Sequence, residues 1–203
     1  MPLASRLALA LLALALAGCG PSVPKVEKLD ASAVVLAFGD SLTFGTGAGA
    51  AQSYPAVLER VIGRKVVKAG VPGEVSEEGL ARLPEVLDEV KPKLLLLCHG
   101  GNDFLRKLDD AKAAANVRAM VRAARDRGIA VVLLSVPKLT LGITKPKFYA
   151  EIGQEFAIPV ENDVVESVLT DRSLKSDLVH PNAEGYEKIA NAVAHLLKKS
   201  GAI

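Results

Sequence analysis

Tryptophan is absent from this chain of 203 residues, and aromatic residues make up only 4% of it. A long groove for stacking sugar rings is therefore disfavoured. The three histidines, His99, His180 and His195, are scattered without the spacing of metal ligands. No basic block stands out, because 25 lysines and arginines are balanced by 23 acidic residues. We therefore expect no metal, no cofactor and no nucleic-acid partner.

The chain also has few cysteines and no apolar run long enough to span a membrane. The two cysteines are Cys19 and Cys98. Cys98 ends the apolar run that starts after Lys93, which is typical of an inert core thiol. If residues 1–18 are removed and Cys19 is modified, no intramolecular disulfide can form, so the fold depends on its core. The apolar run Leu7–Ala17 has 11 residues, too few to span a bilayer.

The N-terminal segment has the pattern of a secretory signal. Arg6 precedes the apolar run, and Leu-Ala-Gly-Cys19 follows with small residues. This sequence resembles the bacterial lipobox; the alternative is a generic signal peptide cleaved beside an irrelevant cysteine. We predict a signal peptide over 1–18, lipidation at Cys19 and a lipidated tether over 19–30. As a flexible coil, the tether would span about 20 Å. The protein would be a lipoprotein of the bacterial cell envelope, facing the periplasm or the exterior.

In the remaining residues, 31–203, apolar runs alternate with segments of helical periodicity, which suits a single domain. The predicted strands, of a kind buried on both faces in parallel sheets, are Ala33–Phe38, Val66–Val67, Leu94–Leu97, Ile129–Leu134 and Ile158–Val160. The predicted helices are Ser53–Val61, Ser76–Val90, Ala111–Arg127 and a last one that Asn182 caps. The alternation predicts a three-layer α/β/α sandwich, with ligands at the carboxyl ends of the strands.

Ser41 follows the first predicted strand and a Gly-Asp turn, so its hydroxyl would stand at that edge of the sheet. A serine nucleophile needs a neighbouring base, and His180 is the best candidate. Asp177 lies three residues earlier, so a compact turn can direct its carboxylate at the imidazole. The stretch from Asp177 to His180 is equally compatible with a surface loop that precedes a helix.

Acyl transfer also needs donors for the negative charge on the carbonyl oxygen. The Ser41 N–H, the Gly73 N–H and the Asn102 side-chain amide are the candidates. On the residues alone, a plain turn after Pro72 is the favoured interpretation of Gly73, and Asn102 could belong to a simple strand-to-helix turn. These residues lie in four short blocks of the sequence, around Ser41, Gly73, Asn102 and His180, and three of the blocks come just past a predicted strand. Together the blocks indicate a serine hydrolase that cleaves esters.

The blocks Gly39-Asp40-Ser41-Leu42, Gly73, Gly100-Gly101-Asn102-Asp103 and Asp177-Leu178-Val179-His180 resemble the SGNH/GDSL hydrolase superfamily. The resemblance covers roughly residues 33–198. Within the superfamily, the chain is most similar to bacterial arylesterases and multifunctional thioesterase/lysophospholipase enzymes. The resemblance implies a flavodoxin-like sheet of five parallel strands. It also implies that Ser41 is the nucleophile, His180 the base and Asp177 its orienting acid, with Ser41, Gly73 and Asn102 forming the oxyanion hole.

The chain departs from the family pattern near the second block. Lys68 stands where the family usually has asparagine, and Glu74-Val75 replaces the usual Asp-Thr, which would reshape the loop that holds Gly73. We interpret His99 as a structural histidine at a strand end, with a place in the substrate cleft as the alternative. His195, near the end of the last helix, would make a favourable contact with the helix dipole.

Two other functions compete with hydrolysis. Gly45-Thr46-Gly47-Ala48-Gly49-Ala50 matches a dinucleotide fingerprint, but it starts several residues past the strand end, and Lys68 stands where an acidic ribose ligand would be expected. A non-catalytic lipoprotein that binds glycans or lipids would usually have lost one of the catalytic residues, and none is missing.

The expected partner is a small acyl-ester substrate. We expect the hydrolysis of aryl and short-to-medium acyl esters through an acyl-enzyme, with thioesters and lysophospholipids as further candidates. The alternative is an O-acetylesterase that acts on peptidoglycan or envelope polysaccharide. We also expect a monomer that contacts the membrane only through its N-terminal lipid.

Overall fold

The computed structural model describes residues 23–139 and 142–203. The predicted signal peptide and the lipidation site Cys19 lie outside these residues. The strands are β1 (Val35–Gly39), β2 (Val66–Gly70), β3 (Leu94–Cys98), β4 (Ala130–Leu134), β5 (Lys138–Leu139), β6 (Ile143–Thr144) and β7 (Val160–Glu161). The helices are α1 (Ser41–Phe44), α2 (Tyr54–Ile62), α3 (Ser76–Val90), α4 (Gly101–Leu105), α5 (Asp110–Arg125), α6 (Phe148–Phe156), α7 (Val164–Thr170) and α8 (Ala183–Ser200), with short 3₁₀ turns at Ala50–Gln52 and Arg172–Leu174.

Five parallel strands form the central sheet in the order β2-β1-β3-β4-β7. Every residue of β1 and β3 is buried, as expected for strands covered by helices on both faces. On one face α2 packs against α8, and on the other α3 packs against α5. This confirms the predicted three-layer α/β/α fold with five parallel strands, and it brings the carboxyl ends of β1, β2 and β3 to one edge.

The longer helices of the fold were predicted from the sequence, whereas several of the shorter helices were not. Asn182 caps α8 as predicted, since its Oδ1 accepts from the Gly185 N–H at 3.0 Å. The predicted third helix is α5, which ends at Arg125 rather than Arg127. The helices α1, α4, α6 and α7 were not predicted. In α4, α6 and α7 the N-cap side chain accepts no hydrogen bond from the first turn, so the usual start signal is missing. Asp40 caps α1, but that helix has only four residues.

Strand boundaries shifted by a few residues. The predicted strand Val66–Val67 extends to Gly70 as β2, so Lys68 lies in the middle of that strand and not at its end. The predicted strand Ile158–Val160 is replaced by the short β7, Val160–Glu161. Short edge strands carry little pattern of their own, because their place is set by pairing with a neighbour; β7 pairs only through Leu133 and Leu134 of β4.

The last part of the predicted tether lies against the domain. The Val26 N–H donates to the Ser200 carbonyl at 3.0 Å, the Leu29 N–H donates to the Ala202 carbonyl at 2.8 Å, and Leu29 is buried in the core. The domain boundary at residue 31 is therefore too late: the chain is held from about Val26 onward. Among the residues that the structure describes, no helix has the length and apolar character needed to cross a membrane.

Candidate active site

Ser41 is the first residue of α1, directly after the end of β1. Asp40 caps this short helix: its Oδ1 accepts from the Leu42 N–H at 3.0 Å. Asp40 itself is buried, and burial raises the pKa of its carboxyl group, partly opposed by the hydrogen bond from the Leu42 N–H. Gly39 sits tightly against the end of β3, because a Cβ there would overlap the Cys98 carbonyl. These contacts hold the Ser41 side chain at the carboxyl edge of the sheet, as predicted.

His180 and Asp177 meet through a compact turn. Asp177 Oδ1 accepts from the N–H groups of Val179 and His180, both at 2.8 Å, and its Oδ2 lies 2.7 Å from Nδ1 of His180. Partial burial would raise the pKa of the Asp177 carboxyl group, but its hydrogen bonds with the side chain of His180 and these two N–H groups lower it below the usual value. An ionised carboxylate therefore faces Nδ1, which leaves Nε2 as the free acceptor of the imidazole.

Nε2 of His180 lies 3.0 Å from Oγ of Ser41. The three predicted residues thus form one hydrogen-bonded chain, although Ser41 and His180 are 139 positions apart. A base within hydrogen-bond reach of a hydroxyl, itself oriented by a carboxylate, is the arrangement that activates a serine. A second contact holds the two segments together, because the Tyr186 hydroxyl in α8 donates to the Thr46 carbonyl at 2.7 Å.

The candidate oxyanion donors come from the next two loops. Asn102, at the start of α4, donates from Nδ2 to the Glu74 carbonyl at 3.0 Å and, at 3.3 Å, to Oδ2 of Asp40. Gly73 has a positive φ of 81°, which favours glycine, and its carbonyl accepts from Arg106 at 2.6 Å. Asn102 lines the same cleft as Ser41 and His180, whereas Gly73 does not line it. The next residue, Glu74, is connected to the cleft only through its hydrogen bond with Asn102.

A small cleft lies beside Ser41, and its polar lining is formed by Asp40, Ser41, Asn102 and His180. Its walls are otherwise apolar, formed by Leu42, Leu105, Val136, Pro137, Leu139, Leu169 and Val179. These wall residues come from loops, short helices and the short strand β5, and apart from Leu42 and Val179 none of them belongs to the four sequence blocks. Such a surface fits a hydrocarbon group next to a polar reacting centre.

Behind Asn102 lies a buried charged cluster that sequence reasoning missed. The Glu74 carboxylate accepts two hydrogen bonds from Arg82, each at 2.7 Å, and lies 3.0 Å from Nε2 of His99. Burial opposes ionisation of Glu74, but the bonds from Arg82 and His99 prevail and lower its pKa to about 2. His99 is fully buried and does not line the cleft. It is therefore a structural histidine, as predicted, and the cleft alternative is wrong.

The structure does not supply the context of a dinucleotide site. The segment 45–50 follows α1 rather than a strand, and it leads only into the 3₁₀ turn at Ala50–Gln52, whereas the fingerprint requires a strand, a tight turn and a helix. Lys68 donates to the Phe44 carbonyl at 2.9 Å and so supports the end of α1. Within residues 23–139 and 142–203, no group of three or more His, Cys, Asp or Glu side chains could hold a metal ion.

Comparison with known proteins agrees with this fold. A model of the GDSL-like Lipase/Acylhydrolase family matches residues 37–188, more than half of the chain. Esterase TesA of Pseudomonas aeruginosa is 36% identical over 129 residues, which cover 61% of this chain and 64% of that protein. The Escherichia coli K12 protein named Thioesterase 1/protease 1/lysophospholipase L1 is 28% identical over 177 residues, covering 83% of this chain and 85% of that one.

A crystal structure of TesA superimposes with a TM-score of 0.74 at 28% identity, covering 82% of this chain and 99% of that one. The chain therefore belongs to the GDSL-like lipase/acylhydrolase family. It is an ester-hydrolysing enzyme with the SGNH hydrolase fold. The predicted family, fold and reaction class are confirmed.

Proposed function

We propose that this enzyme hydrolyses aryl and short-to-medium acyl esters through an acyl-enzyme on Ser41. One observation carries the proposal: the Ser41 hydroxyl lies 3.0 Å from a histidine that a carboxylate holds from behind at 2.7 Å, at the mouth of an apolar cleft. The cleft walls would take the acyl or aryl group, and the hydrogen-bonded chain would act on the ester carbonyl.

In the acylation step, His180 Nε2 takes the proton of Ser41 as Oγ bonds to the carbonyl carbon. The carbonyl oxygen becomes an anion, which the Ser41 N–H, the Gly73 N–H and the Asn102 amide would stabilise. When the anion collapses, the bond to the leaving oxygen or sulfur breaks, and His180 gives its proton to that atom. Asp177 stays ionised throughout and stabilises the imidazolium ion.

In the deacylation step, water replaces the departed alcohol or thiol. His180 takes a proton from the water as its oxygen bonds to the acyl carbon, and a second anion forms in the same place. The bond between the acyl carbon and Oγ then breaks, Ser41 regains the proton, and the carboxylic acid leaves. Every proton is therefore carried by a single nitrogen, Nε2.

Thioesters and lysophospholipids are proposed as further substrates. The E. coli relative carries both activities in its name, and the apolar wall of the cleft includes Leu105, which is exposed to solvent. The names of the relatives do not favour the O-acetylesterase alternative. Acetylated glycans nevertheless belong in the substrate panel, because their preferential hydrolysis would overturn the proposed acyl and aryl preference.

We further propose that the enzyme is a monomeric lipoprotein of the bacterial envelope, anchored through Cys19. The lipobox pattern Leu-Ala-Gly-Cys and the preceding apolar run support this proposal. A Cys19→Ser variant should lose incorporation of labelled fatty acid and remain an active esterase. Labelled lipid that is retained in this variant, or absent from the parent protein, would contradict anchoring at Cys19.

The first experiment is the hydrolysis of p-nitrophenyl esters of increasing chain length by the purified full chain, beside Ser41→Ala and His180→Ala. Loss of either residue from a working triad costs about 10⁶ in kcat, so both variants should fall to background. The chain length that gives the highest kcat/KM then measures the acyl site. Activity that survives in Ser41→Ala would overturn the proposed mechanism, as would a parent enzyme inert on the whole series.

A further inference from the structure

Two loops that carry the candidate oxyanion donors are joined by the buried cluster of Glu74, Arg82 and His99. Glu74 directly follows Gly73, and only 6% of its surface is exposed. Its carboxylate receives the paired hydrogen bonds of Arg82 from α3, and it contacts His99 at the end of β3. The cluster thus connects the loop after β2 with the loop after β3.

The hydrogen bonds of His99 fix the position of its proton. Nδ1 accepts from the Gly100 N–H at 3.0 Å, so the ring proton lies on Nε2 and is donated to Glu74. The ring fits only because α3 carries a glycine beside it: a Cβ on Gly79 would overlap Nε2. The close contact between helix α3 and the end of β3 therefore requires a residue without a side chain at Gly79.

The main chain of Glu74 contacts one candidate donor and is bonded to the other. Its carbonyl holds Nδ2 of Asn102 at 3.0 Å, and its N–H is one residue from Gly73. Any shift of the Glu74 backbone would therefore move both the Gly73 peptide and the Asn102 amide. The Arg82 guanidinium is itself fixed, since it lies 4.1 Å over the Phe38 ring in β1, which is the strand that leads to Ser41.

We infer that Glu74, held by Arg82 and His99, is a positioning residue that sets the Gly73 and Asn102 donors relative to Ser41. This inference rests on the proposed function. Glu74 and His99 do not touch the substrate cleft, so their effect is exerted through the donors. Since the donors act mainly on the anion of the transition state, disturbing them should lower kcat and leave KM nearly unchanged.

The test is Glu74→Gln, which preserves the shape of the side chain and removes its charge. One Arg82 donor would then face an amide NH₂ group, so the loop has to move. Because a displacement of about 1 Å at a reacting centre can cost about 10²-fold, we expect kcat to fall by about 10- to 100-fold with KM within about twofold. An unchanged kcat, or a loss confined to KM, would overturn the inference.

A double-mutant cycle with Asn102→Ala separates positioning from general damage. If Glu74 acts through the donors, Glu74→Gln should cost clearly less once Asn102 is already alanine, because only the Gly73 donor is then left to displace. An equal loss in both backgrounds would overturn the inference. His99→Leu removes the second partner of Glu74 with an apolar side chain that suits the core. If Glu74→Gln fails to fold, His99→Leu replaces it in the double-mutant cycle with Asn102→Ala, and the same outcomes support or overturn the inference.

Glu59→Gln provides the matched control. Glu59 Oε2 accepts from the Val66 N–H at 2.8 Å at the opposite end of β2, far from Ser41, so its kcat should equal that of the parent enzyme. Failure of the proposed function would appear as a parent enzyme without Ser41-dependent activity. Failure of this inference would instead appear as a Ser41-dependent enzyme that Glu74→Gln and His99→Leu leave unaltered.

Discussion

The two sides of the candidate site are built in different ways. The acid–base side, Asp177 and His180, is a single turn of four residues, and half of the Asp177 side chain is exposed to solvent. The donor side, Gly73, Glu74 and Asn102, comes from separate loops and rests on a buried ionic cluster. One side is held mainly by contacts within its own turn, the other by contacts between distant parts of the chain.

This difference affects how each side can fail. The Asp177–His180 turn is held by hydrogen bonds between its own carboxylate and its own N–H groups, so we expect it to tolerate most changes elsewhere in the fold. A donor arranged by neighbouring loops depends on every residue that fixes those loops. We therefore expect damage on the acid–base side to be confined to the altered residue, and damage on the donor side to spread through coupled residues.

The largest effect after removal of Ser41 or His180 should come from Asp177→Asn. The amide that replaces the Asp177 carboxylate can donate a hydrogen bond to Nδ1 of His180, which stabilises the tautomer with its proton on Nε2. In that tautomer Nε2 cannot accept the proton of Ser41. We expect kcat to fall by about 10⁴. Steady-state kinetics on a p-nitrophenyl ester measure the loss, and a residual activity within tenfold of the parent would refute the role of Asp177.

Asn102→Ala should have a smaller effect, because it removes one of several donors and leaves the serine and its base intact. The expected loss is about 10²–10³ in kcat. The rate of Ser41 modification by an organophosphonate ester should fall in parallel, since that reaction also forms an anion at the same position. A variant with normal kcat would remove Asn102 from the oxyanion hole.

The pH dependence of stability should reveal the contribution of the buried Glu74 carboxylate. Glu74 binds its proton near pH 2 in the folded protein and nearer its ordinary value, about 4.3, in the unfolded chain. Its contribution to the free energy of unfolding is therefore complete above that ordinary value and is lost as the pH falls toward 2. Denaturant unfolding at several pH values should show this loss in the parent protein and a flatter profile in Glu74→Gln. Identical profiles would contradict the role of the ionised carboxylate.

The smallest effect should come from Leu178→Ala, although Leu178 lies between Asp177 and His180. Its side chain is 83% exposed, and the turn is held by the Asp177 carboxylate rather than by packing. The free energy of unfolding should change by less than about 0.5 kcal/mol, and kcat on a short-chain ester should be unaltered. A clear loss of stability would show that the turn needs more than its own hydrogen bonds.

The same contrast explains what the sequence could reveal. Asp177 and His180 are close in the chain, so their spacing alone suggested the turn. The connection of Asn102 to Glu74 joins positions 28 residues apart, and no periodicity encodes it. The replacement of the usual Asp-Thr by Glu74-Val75 was visible, but its meaning depended on Arg82 and His99, which meet Glu74 only after the sheet has formed.

The fold was predictable to a similar degree. Fully buried strands such as β1 and β3 appear as apolar runs, and α8 could be located from its capping residue Asn182. Asp109 caps α5 in the same way, but the predicted start at Ala111 did not make use of it. The apolar walls of the cleft could not be read from the sequence, because they belong to connections whose conformation is imposed by neighbouring elements. The pattern of the chain thus predicted the reaction class far better than the shape of the substrate site.

The described N-terminal segment contacts the domain at the end that lies opposite the cleft. Val26 and Leu29 bind the end of α8, while the start of the same helix adjoins His180. A helix of 18 residues is about 27 Å long, so Val26 and Leu29 are held at the end of the domain opposite the cleft. Lys25 lies at the same end, because its Nζ donates to the Lys199 carbonyl, so a support attached to the Lys25 side chain would lie far from His180. Immobilisation through this end should preserve turnover on dissolved esters.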